Sequence, residues 1–513
     1  IARLSIQTDE KGIENSIERF ETIIKNTDRP VKYIAASYLA ELYQRYFDNY
    51  RWEISQRSEI EGNKGIDFRT WTTQQFLSTI ENWYLYSLEN KNAINISVDE
   101  FKAVLNKYDR EATMLRPTLY EVLADRVFDF FNAYDNYSGL NTESFQVDQD
   151  VYFSANKIFS SKTIETKDKS SQKYRVLSLY QDIIKTQLQN GNKIALVDYD
   201  FSRLEYVFRN STLENKNELY KKSLETLAED SIENDASADV IAGLANFLLS
   251  EKEFNYKNTD IIKICEQAIK KYPDSKGAAK CKNIIADIKS PLLQLYGEQV
   301  YPSKKPLLYA IDHKNIQSVK IEVIKLEKDF SEKWNNKDQQ EIKNYLLKAK
   351  KLKSSNHTFK PNQEFTTEKT ELYAAPLKHG VYALIVHDNL ANGQSFQFMI
   401  FHISDLVYTT YHTGEKRVII VSDRSIGAPL KGVKVSLLSQ NYNPGNRHFE
   451  FIKSGDYITN IEGKVTVTEK TDQNLKIVLS HKSDVLDLNQ YHYNYLRQDN
   501  SEHKFAEFFT DRS

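Results

Sequence analysis

The sequence predicts a multidomain α + β protein, in which an N-terminal all-α solenoid of helical pairs is followed by two β-sandwich domains. Apolar residues recur at spacings of three and four through residues 1–290, and at spacings of two beyond that point. Turn-forming residues become denser at the same place, because seven of the ten prolines and nine of the sixteen glycines lie in 291–513. We therefore place a domain boundary at Ser290–Pro291, since the residue before a proline is pushed out of helical geometry.

In the helical part, the first apolar stripe at helix spacing consists of Ile34, Tyr38, Leu39, Leu42 and Tyr46. A second stripe runs from Leu119 to Phe131 after Pro117, a residue suited to a first helical turn. Further amphipathic helices are predicted over 172–189, 214–229, 236–250, 259–272 and 276–288. Helices of this length joined by short polar turns are typical of a solenoid. The segment Ala268–Pro273 resembles the end of a tetratricopeptide repeat, so we describe this part as TPR-like.

The second part shows the alternation of strands. Val319, Ile321 and Val323 share one face, and the apolar run Val381–Val386 follows the turn His379-Gly380. Frequent turns between such runs predict β-sandwiches. The helical pattern over 331–352 is predicted to be an insertion in the first sandwich. We expect the first sandwich over 291–407, the second over 408–505, and the start of a further domain at 506–513.

Composition limits the partners of the chain. Lys and Arg number 69 against 71 for Asp and Glu, which gives a net charge of -2. Nucleic acid is excluded as a partner, because neutralising phosphates needs a surplus of basic side chains. The chain opens at Ile1 without an initiator Met, so we expect a mature or trimmed part of a longer protein.

Sequence motifs for chemistry are absent. The chain contains neither G-x-x-x-x-G-K-[ST] nor a G-x-G-x-x-G that opens a helix, and neither H-E-x-x-H nor G-x-S-x-G. The histidines are scattered without ligand spacing. His387 beside Asp388, and His492 between two tyrosines, are explained by exposed turns or strand ends. We expect no catalytic residue, no cofactor or cofactor-binding residue and no metal ligand, and therefore a protein that is not an enzyme.

Two clusters are candidates for contact with a partner. The densest basic cluster holds Lys343, Lys348, Lys350, Lys351 and Lys353. A patch for an acidic partner or for membrane head groups, and a solvated helix face, are the alternatives for these lysines. Tyr491, Tyr493 and Tyr495 alternate, so their rings share one face of a strand. Tyrosine is enriched at protein–protein contacts, so these rings are a candidate partner contact, with half-buried packing as the alternative.

The two cysteines lie at equal distances from Pro273, inside a predicted helix–turn–helix. Equidistant positions of an antiparallel hairpin face each other, so Cys265 and Cys281 could form a disulfide in an oxidising compartment. Two ordinary buried thiols are the alternative. Cys265-Glu266-Gln267 lacks one residue of the internal-thioester motif Cys-x-Glu-Gln, and we do not expect a thioester there.

Several segments, in order, resemble the bacterial alpha-2-macroglobulin-like proteins. The segments that resemble macroglobulin-type domains are Ser290–Leu295, Pro306–Leu308, Pro376-Leu377, Gly380–Leu384, Asp423–Val435, Thr459–Val465 and Phe508–Ser513. The helical part resembles the N-terminal extension of some members, through Arg116–Tyr120, Leu123-Ala124 and Tyr272–Ser275. The order of these segments is the stronger part of the resemblance.

The resemblance implies the N-terminal portion of a large exported protein at the periplasmic or outer-membrane face, often lipid-anchored, which inhibits or traps proteases. Neither a bait segment nor a thioester is identified in the sequence, so no catalytic residue is carried over. Two functions are left open: the non-catalytic scaffold of a protease-trapping macroglobulin, and a protein–protein interaction subunit of an outer-membrane complex. A hydrolase is a more distant alternative. The partners we expect are proteases or outer-membrane proteins, with a lipid anchor outside this chain.

Overall fold

The computed structural model describes residues 11–57, 67–101, 110–134, 145–169, 171–328, 330–334, 337–388, 395–413, 416–443, 445, 448–468 and 474–492. The chain divides into two compact units, 1–287 and 288–513. Within the described residues the first unit is helical and the second contains four sheets and two short helices, which confirms the predicted order of an all-α part followed by a β-rich part. The division lies three residues before the predicted boundary at Ser290–Pro291.

The helices of the first unit are α1 Gly12–Asn26, α2 Val31–Asn49, α3 Arg51–Ser55, α4 Thr73–Leu88, α5 Lys91–Ile94, α6 Arg110–Leu115, α7 Leu119–Tyr134, α8 Asn156–Ser161, α9 Gln172–Asn190, α10 Lys193–Asn210, α11 Lys216–Asp230, α12 Ser237–Ser250, α13 Asn258–Lys271 and α14 Lys276–Lys289. Local chemistry fixes several ends. Thr72 and Gln75 form a capping box at the start of α4. No helix among the described residues is long and apolar enough to cross a membrane.

Helix α10 was not predicted. It forms an antiparallel pair with α9, and successive helices pack against each other from α9 to α13. The apolar periodicity of α10 is interrupted because Asp200 and Arg203, both fully buried, occupy its inner face. They form an ion pair there, so a charged pair sits where a sequence pattern requires apolar side chains.

The strands of the second unit are β1 Leu292–Gly297, β2 Val300–Tyr301, β3 Leu307–Lys314, β4 Ser318–Lys325, β5 Lys351–Thr358, β6 Glu368–Ala374, β7 Gly380–Asp388, β8 Phe396–Ile403, β9 Leu406–Thr413, β10 Lys416–Asp423, β11 Lys434–Asn443, β12 His448–Ile458, β13 Lys464–Thr468, β14 Leu475–His481 and β15 Asp484–His492. Two sheets, β1-β3-β6 and β2-β8-β7-β4-β5, enclose the first core. Two others, β13-β10-β9 and β12-β11-β14-β15, enclose the second. Each core is the interior of a β-sandwich.

The predicted insertion forms two short helices, α15 Phe330–Trp334 and α16 Gln339–Lys348. They cover the outer face of the five-stranded sheet, where Leu346 is fully buried against β7. The expectation of helix as far as residue 352 is wrong. The chain turns extended at Ala349 and enters β5, and Lys351 binds the carbonyl oxygens of Leu346 and Leu347 at the end of α16.

The second sandwich begins at Leu406, so the predicted boundary between 407 and 408 falls within β9.

One corner of this sandwich joins the end of β10 to the turn before β13. Thr459 Oγ1 accepts a hydrogen bond from the Val433 amide and donates one to the Leu430 carbonyl. Gly463 adopts φ +69°, and a Cβ there would lie 2.3 Å from the Val421 carbonyl oxygen. Only glycine fits this position, because the backbone is both left-handed and in close contact.

Candidate functional site

The helical unit contains a groove of about 390 Å³. Helix α10 supplies its apolar wall with Ile194, Val197 and Phe201, which share one face at helical spacing. Asp239 and Asp274 lie at the starts of α12 and α14, where the helix dipole stabilises carboxylates. The lining contains four aspartates and two lysines; Asp198 is paired with Arg116 and Asp239 with Lys280, so the excess of negative charge lies at Asp235 and Asp274 against Lys276.

A larger cavity, about 570 Å³, lies on the other side of α10. Arg203 reaches it, and its Nε donates to Asp200 Oδ1 at 3.0 Å. Its other nitrogens donate to Asp200 and to the carbonyl oxygens of Tyr152 and Ser154, and Phe159 covers the guanidinium. These hydrogen bonds occupy the guanidinium nitrogens of Arg203. We conclude that Arg203 holds the segment around Tyr152 against α10.

A third grouping lies where the two sandwiches meet. His379 precedes β7 of the first sandwich, Asp405 lies in the link between β8 and β9, and Asp484 begins β15 of the second. His379 Nε2 is 2.8 Å from Asp405 Oδ2 and 3.6 Å from Asp484 Oδ2. One donor atom from each residue lies within 4.8 Å of the others. An imidazole and two carboxylates are a donor set that binds divalent metal ions.

Neighbouring groups hold these carboxylates in place. The Ser303 amide and hydroxyl donate to the two oxygens of Asp405, and the Asp405 amide donates to Asp484 Oδ2. Burial would raise the pKa of Asp405, but the bonds from Ser303 and the His379 ring outweigh it and hold this pKa below its usual range. Asp484 is 4% exposed, and its Oδ1 has no hydrogen-bond partner within the described residues.

A second contact across the same junction involves His402 on β8, which is 5% exposed. Burial lowers the pKa of its imidazole, and Asp487 of the second sandwich acts in the opposite direction. Lys476, also buried, pairs with Asp487 at 2.9 Å. The junction is therefore built from buried polar groups of both sandwiches.

The sequence candidates in the first sandwich lie elsewhere. His387 Nδ1 lies 2.9 Å from the Asp388 carbonyl oxygen, and its Nε2 lies 3.6 Å from Glu322 on β4. Burial would raise the pKa of Glu322, but Lys320 and Lys351 outweigh it, so this pKa lies below its usual value. The side-chain nitrogens of Lys320, Lys351 and His387 thus surround the buried carboxylate of Glu322. Together they form a structural charge cluster under α16.

The five lysines of the basic cluster do not share one helix face. Lys343 and Lys348 belong to α16, Lys351 and Lys353 to β5, and Lys350 lies between the two elements. Lys351 is also occupied at the end of α16. The alternative of a solvated helix face is therefore wrong for Lys350, Lys351 and Lys353, because the helix stops at Lys348.

Cys265 and Cys281 lie side by side between α13 and α14, both fully buried and present as free thiols. The hydrogen bond with Cys281 and burial raise the pKa of the Cys265 thiol. The placement brings the pair together, and a disulfide between them stays a prediction.

Tyr491 falls in β15, whereas Tyr493 and Tyr495 lie outside the described residues, so the tyrosine contact also stays a prediction. His492 ends β15.

Sequence reasoning missed the grouping at the junction. Asp405 follows His379 by 26 residues and Asp484 follows Asp405 by 79. The expectation of no metal ligand was based on spacing along the chain, and spacing does not detect residues from three separate elements. The turn His379-Gly380 was recognised, but only as the start of a strand.

Comparison with solved structures finds bacterial alpha-2-macroglobulins. A fragment of the native Escherichia coli protein spanning two of its domains matches with a TM-score of 0.29 and 16% identity, over 39% of this chain and 98% of the fragment. A three-domain fragment matches with a TM-score of 0.28 and 17% identity, over 38% of this chain and 64% of the fragment. A mutant of the Salmonella protein matches with a TM-score of 0.26 and 15% identity, over 39% of this chain.

The matched region spans only 12% of that Salmonella chain and 13% of the native E. coli protein. No protein-family model matches the sequence. No curated protein matches it either.

Proposed function

We propose that this chain is the N-terminal scaffold of a macroglobulin-like protein of the bacterial cell envelope, that it is not an enzyme, and that the whole protein traps proteases. The observation that carries the proposal is the corner of the second sandwich. Asp423–Val435 and Thr459–Val465, two segments of the sequence resemblance, meet there through Thr459 and Gly463. Two residues of the resembling segments, Thr459 and Gly463, are thus residues on which the geometry of this turn depends.

The linkage of the two sandwiches supports a scaffold role. Only Ser404 and Asp405 separate β8 from β9, and Asp405 is hydrogen-bonded to both sandwiches through Ser303 and Asp484. The two-residue link and these hydrogen bonds keep the two sandwiches close together at this point. Export to the periplasm or outer membrane, with a lipid anchor outside this chain, completes the proposal.

The test uses the full-length protein that carries this chain and an endopeptidase. A trap encloses the protease without blocking its catalytic site, so cleavage of a large protein substrate should fall at least 10-fold while cleavage of a small peptide substrate continues. Protease inactivated beforehand by a small inhibitor is the control, because it cannot trigger a trap. The proposal would be refuted if the full-length protein changed the cleavage of the large and the small substrate to the same extent, and if size-exclusion chromatography showed no complex between it and the protease.

A second candidate function, binding of a partner protein in an outer-membrane complex, is favoured by the groove beside α10. Its apolar wall of Ile194, Val197 and Phe201 fits the side chains of an extended segment. Asp235 and Asp274 are exposed at its rim. The excess of carboxylates favours a basic peptide segment as the occupant.

Fluorescence anisotropy with a labelled basic peptide tests this second function. The basic peptide should bind at least 10-fold tighter than an acidic peptide of equal length, and Asp274→Lys should abolish that preference. The charge-reversal control is Glu214→Lys, an exposed position that does not line the groove. If Asp274→Lys and Glu214→Lys weaken binding equally, the basic peptide is attracted by the overall negative charge of the surface, and the groove is not its binding site.

A further inference from the structure

We infer that His379, Asp405 and Asp484 form a binding site for a divalent transition-metal ion, with Zn²⁺ as the best fit, that joins the two β-sandwiches. This inference is independent of the proposed function, since it depends on the local donor geometry alone. It also departs from the sequence-based expectation that the chain has no metal ligand.

The separations of the donor atoms match a four-coordinate ion. Zn²⁺ binds imidazole nitrogen and carboxylate oxygen at about 2.0–2.2 Å, so neighbouring ligand atoms of a tetrahedron lie about 3.4 Å apart. The two measured separations from His379 Nε2, 2.8 Å to Asp405 and 3.6 Å to Asp484, lie on either side of that value. The three donor atoms lie within 4.8 Å of one another, so a small inward movement of the carboxylates would bring all three onto the ion, with water as the fourth ligand.

The independent observation is the unsatisfied oxygen of Asp484. This side chain is more than nine-tenths buried, and its Oδ1 has no hydrogen-bond partner in the part of the chain that the structure describes. An unpaired carboxylate oxygen inside a protein is costly, and a bound cation removes that cost. The other oxygen, Oδ2, lies 3.6 Å from His379 Nε2, so an ion between these residues satisfies Oδ1 when the carboxylate binds it through both oxygens.

The surrounding groups have the arrangement of a second shell. Ser303 orients Asp405 through two hydrogen bonds, and the Asp405 amide orients Asp484. Such bonds fix the direction of ligand oxygens and increase affinity. His379 and Asp405 are each about one-quarter exposed, which leaves an entry path for the ion.

The local charge also favours a divalent ion. Asp484, Asp405 and Glu298 are the carboxylates that act on the guanidinium of Arg424. The carboxylates that act on this guanidinium outnumber it, and this local excess of negative charge favours a bound cation. The imidazole selects a transition metal over Mg²⁺ or Ca²⁺, which prefer sets of oxygen ligands.

The test is a titration of the chelator-treated chain with Zn²⁺ alone, followed by calorimetry. We expect one ion per chain, and affinity losses of at least about 100-fold for His379→Ala and Asp484→Asn, since even outer-shell changes cost about 10–100-fold. The matched control is His412→Ala. His412 is exposed near the far end of β9, seven residues from Asp405 and roughly 20 Å along the strand. Its loss should leave binding unchanged.

Two further readouts keep the result interpretable if a variant folds poorly. Co²⁺ in the unaltered chain should give the visible absorption typical of four-coordinate cobalt. Saturating Zn²⁺ should raise the unfolding temperature of the unaltered chain by roughly 5–10 °C and leave that of Asp484→Asn unchanged. Absence of stoichiometric binding in the unaltered chain, or equal binding by folded His379→Ala, would overturn the inference.

Discussion

Replacement of Arg203 by Met should destabilise the helical unit strongly, because it leaves a charge buried without its partner. Arg203 and Asp200 are 0% and 1% exposed, and the guanidinium also binds the carbonyl oxygens of Tyr152 and Ser154. Removing one partner of a buried ion pair costs about 3–5 kcal/mol. At about 2–4 °C per kcal/mol for a unit of this size, the unfolding temperature should fall by roughly 6–20 °C.

Urea unfolding followed by tryptophan fluorescence measures the loss in the free energy of unfolding, since three of the four tryptophans lie in the helical unit. The matched control is Arg45→Met. The Arg45 side chain is 46% exposed in its ion pair with Glu41, and such a pair contributes about 0–1 kcal/mol. Asp200→Leu added to Arg203→Met should restore part of the lost stability, because it removes the stranded carboxylate. Equal losses for Arg203→Met and Arg45→Met would show that Asp200 is not a buried charge.

Three further predictions concern the β-rich unit. The depressed pKa of Glu322 means that this carboxylate stabilises the first sandwich above about pH 4.5 and loses that effect as pH falls further, so Glu322→Gln should flatten the acid limb of a stability–pH profile. Leu346→Ala should cost about 2–5 kcal/mol in denaturant unfolding, and Leu347→Ala, at a 42% exposed position, less than about 1 kcal/mol; equal costs would mean that α16 does not pack on the sheet. Gly463→Ala should lower the unfolding temperature in calorimetry more than Gly427→Ala, since both have φ near +70° but a Cβ meets nothing within 4 Å at Gly427. Equal shifts would refute the steric argument.

The fold order was predictable because the period of apolar residues differs between helices and strands. Helix α12, predicted over 236–250, is observed at Ser237–Ser250. Helix α10 was missed because Asp200 and Arg203 satisfy each other inside the unit, and a pattern of apolar residues does not register a buried ion pair. Glu322 alternates with the apolar residues Ile321 and Val323 and so falls on the opposite, polar face of the strand pattern, yet it is buried, because the inserted helices cover that face.

The candidate site at the junction could not be predicted. His379, Asp405 and Asp484 belong to three elements whose meeting depends on how one sandwich packs on the other. No local period or spacing encodes that packing. The cysteine pair was different, since both residues lie within one predicted helical hairpin, and symmetry about Pro273 was enough to place Cys265 opposite Cys281.

The two-residue passage from β8 to β9 has a mechanical consequence. A longer linker would absorb a displacement as slack, whereas Ser404 and Asp405 have no length to spare. A displacement of one sandwich relative to the other must therefore be taken up by rotation within these two residues and by breakage of the hydrogen bonds that Asp405 makes to Ser303 and Asp484.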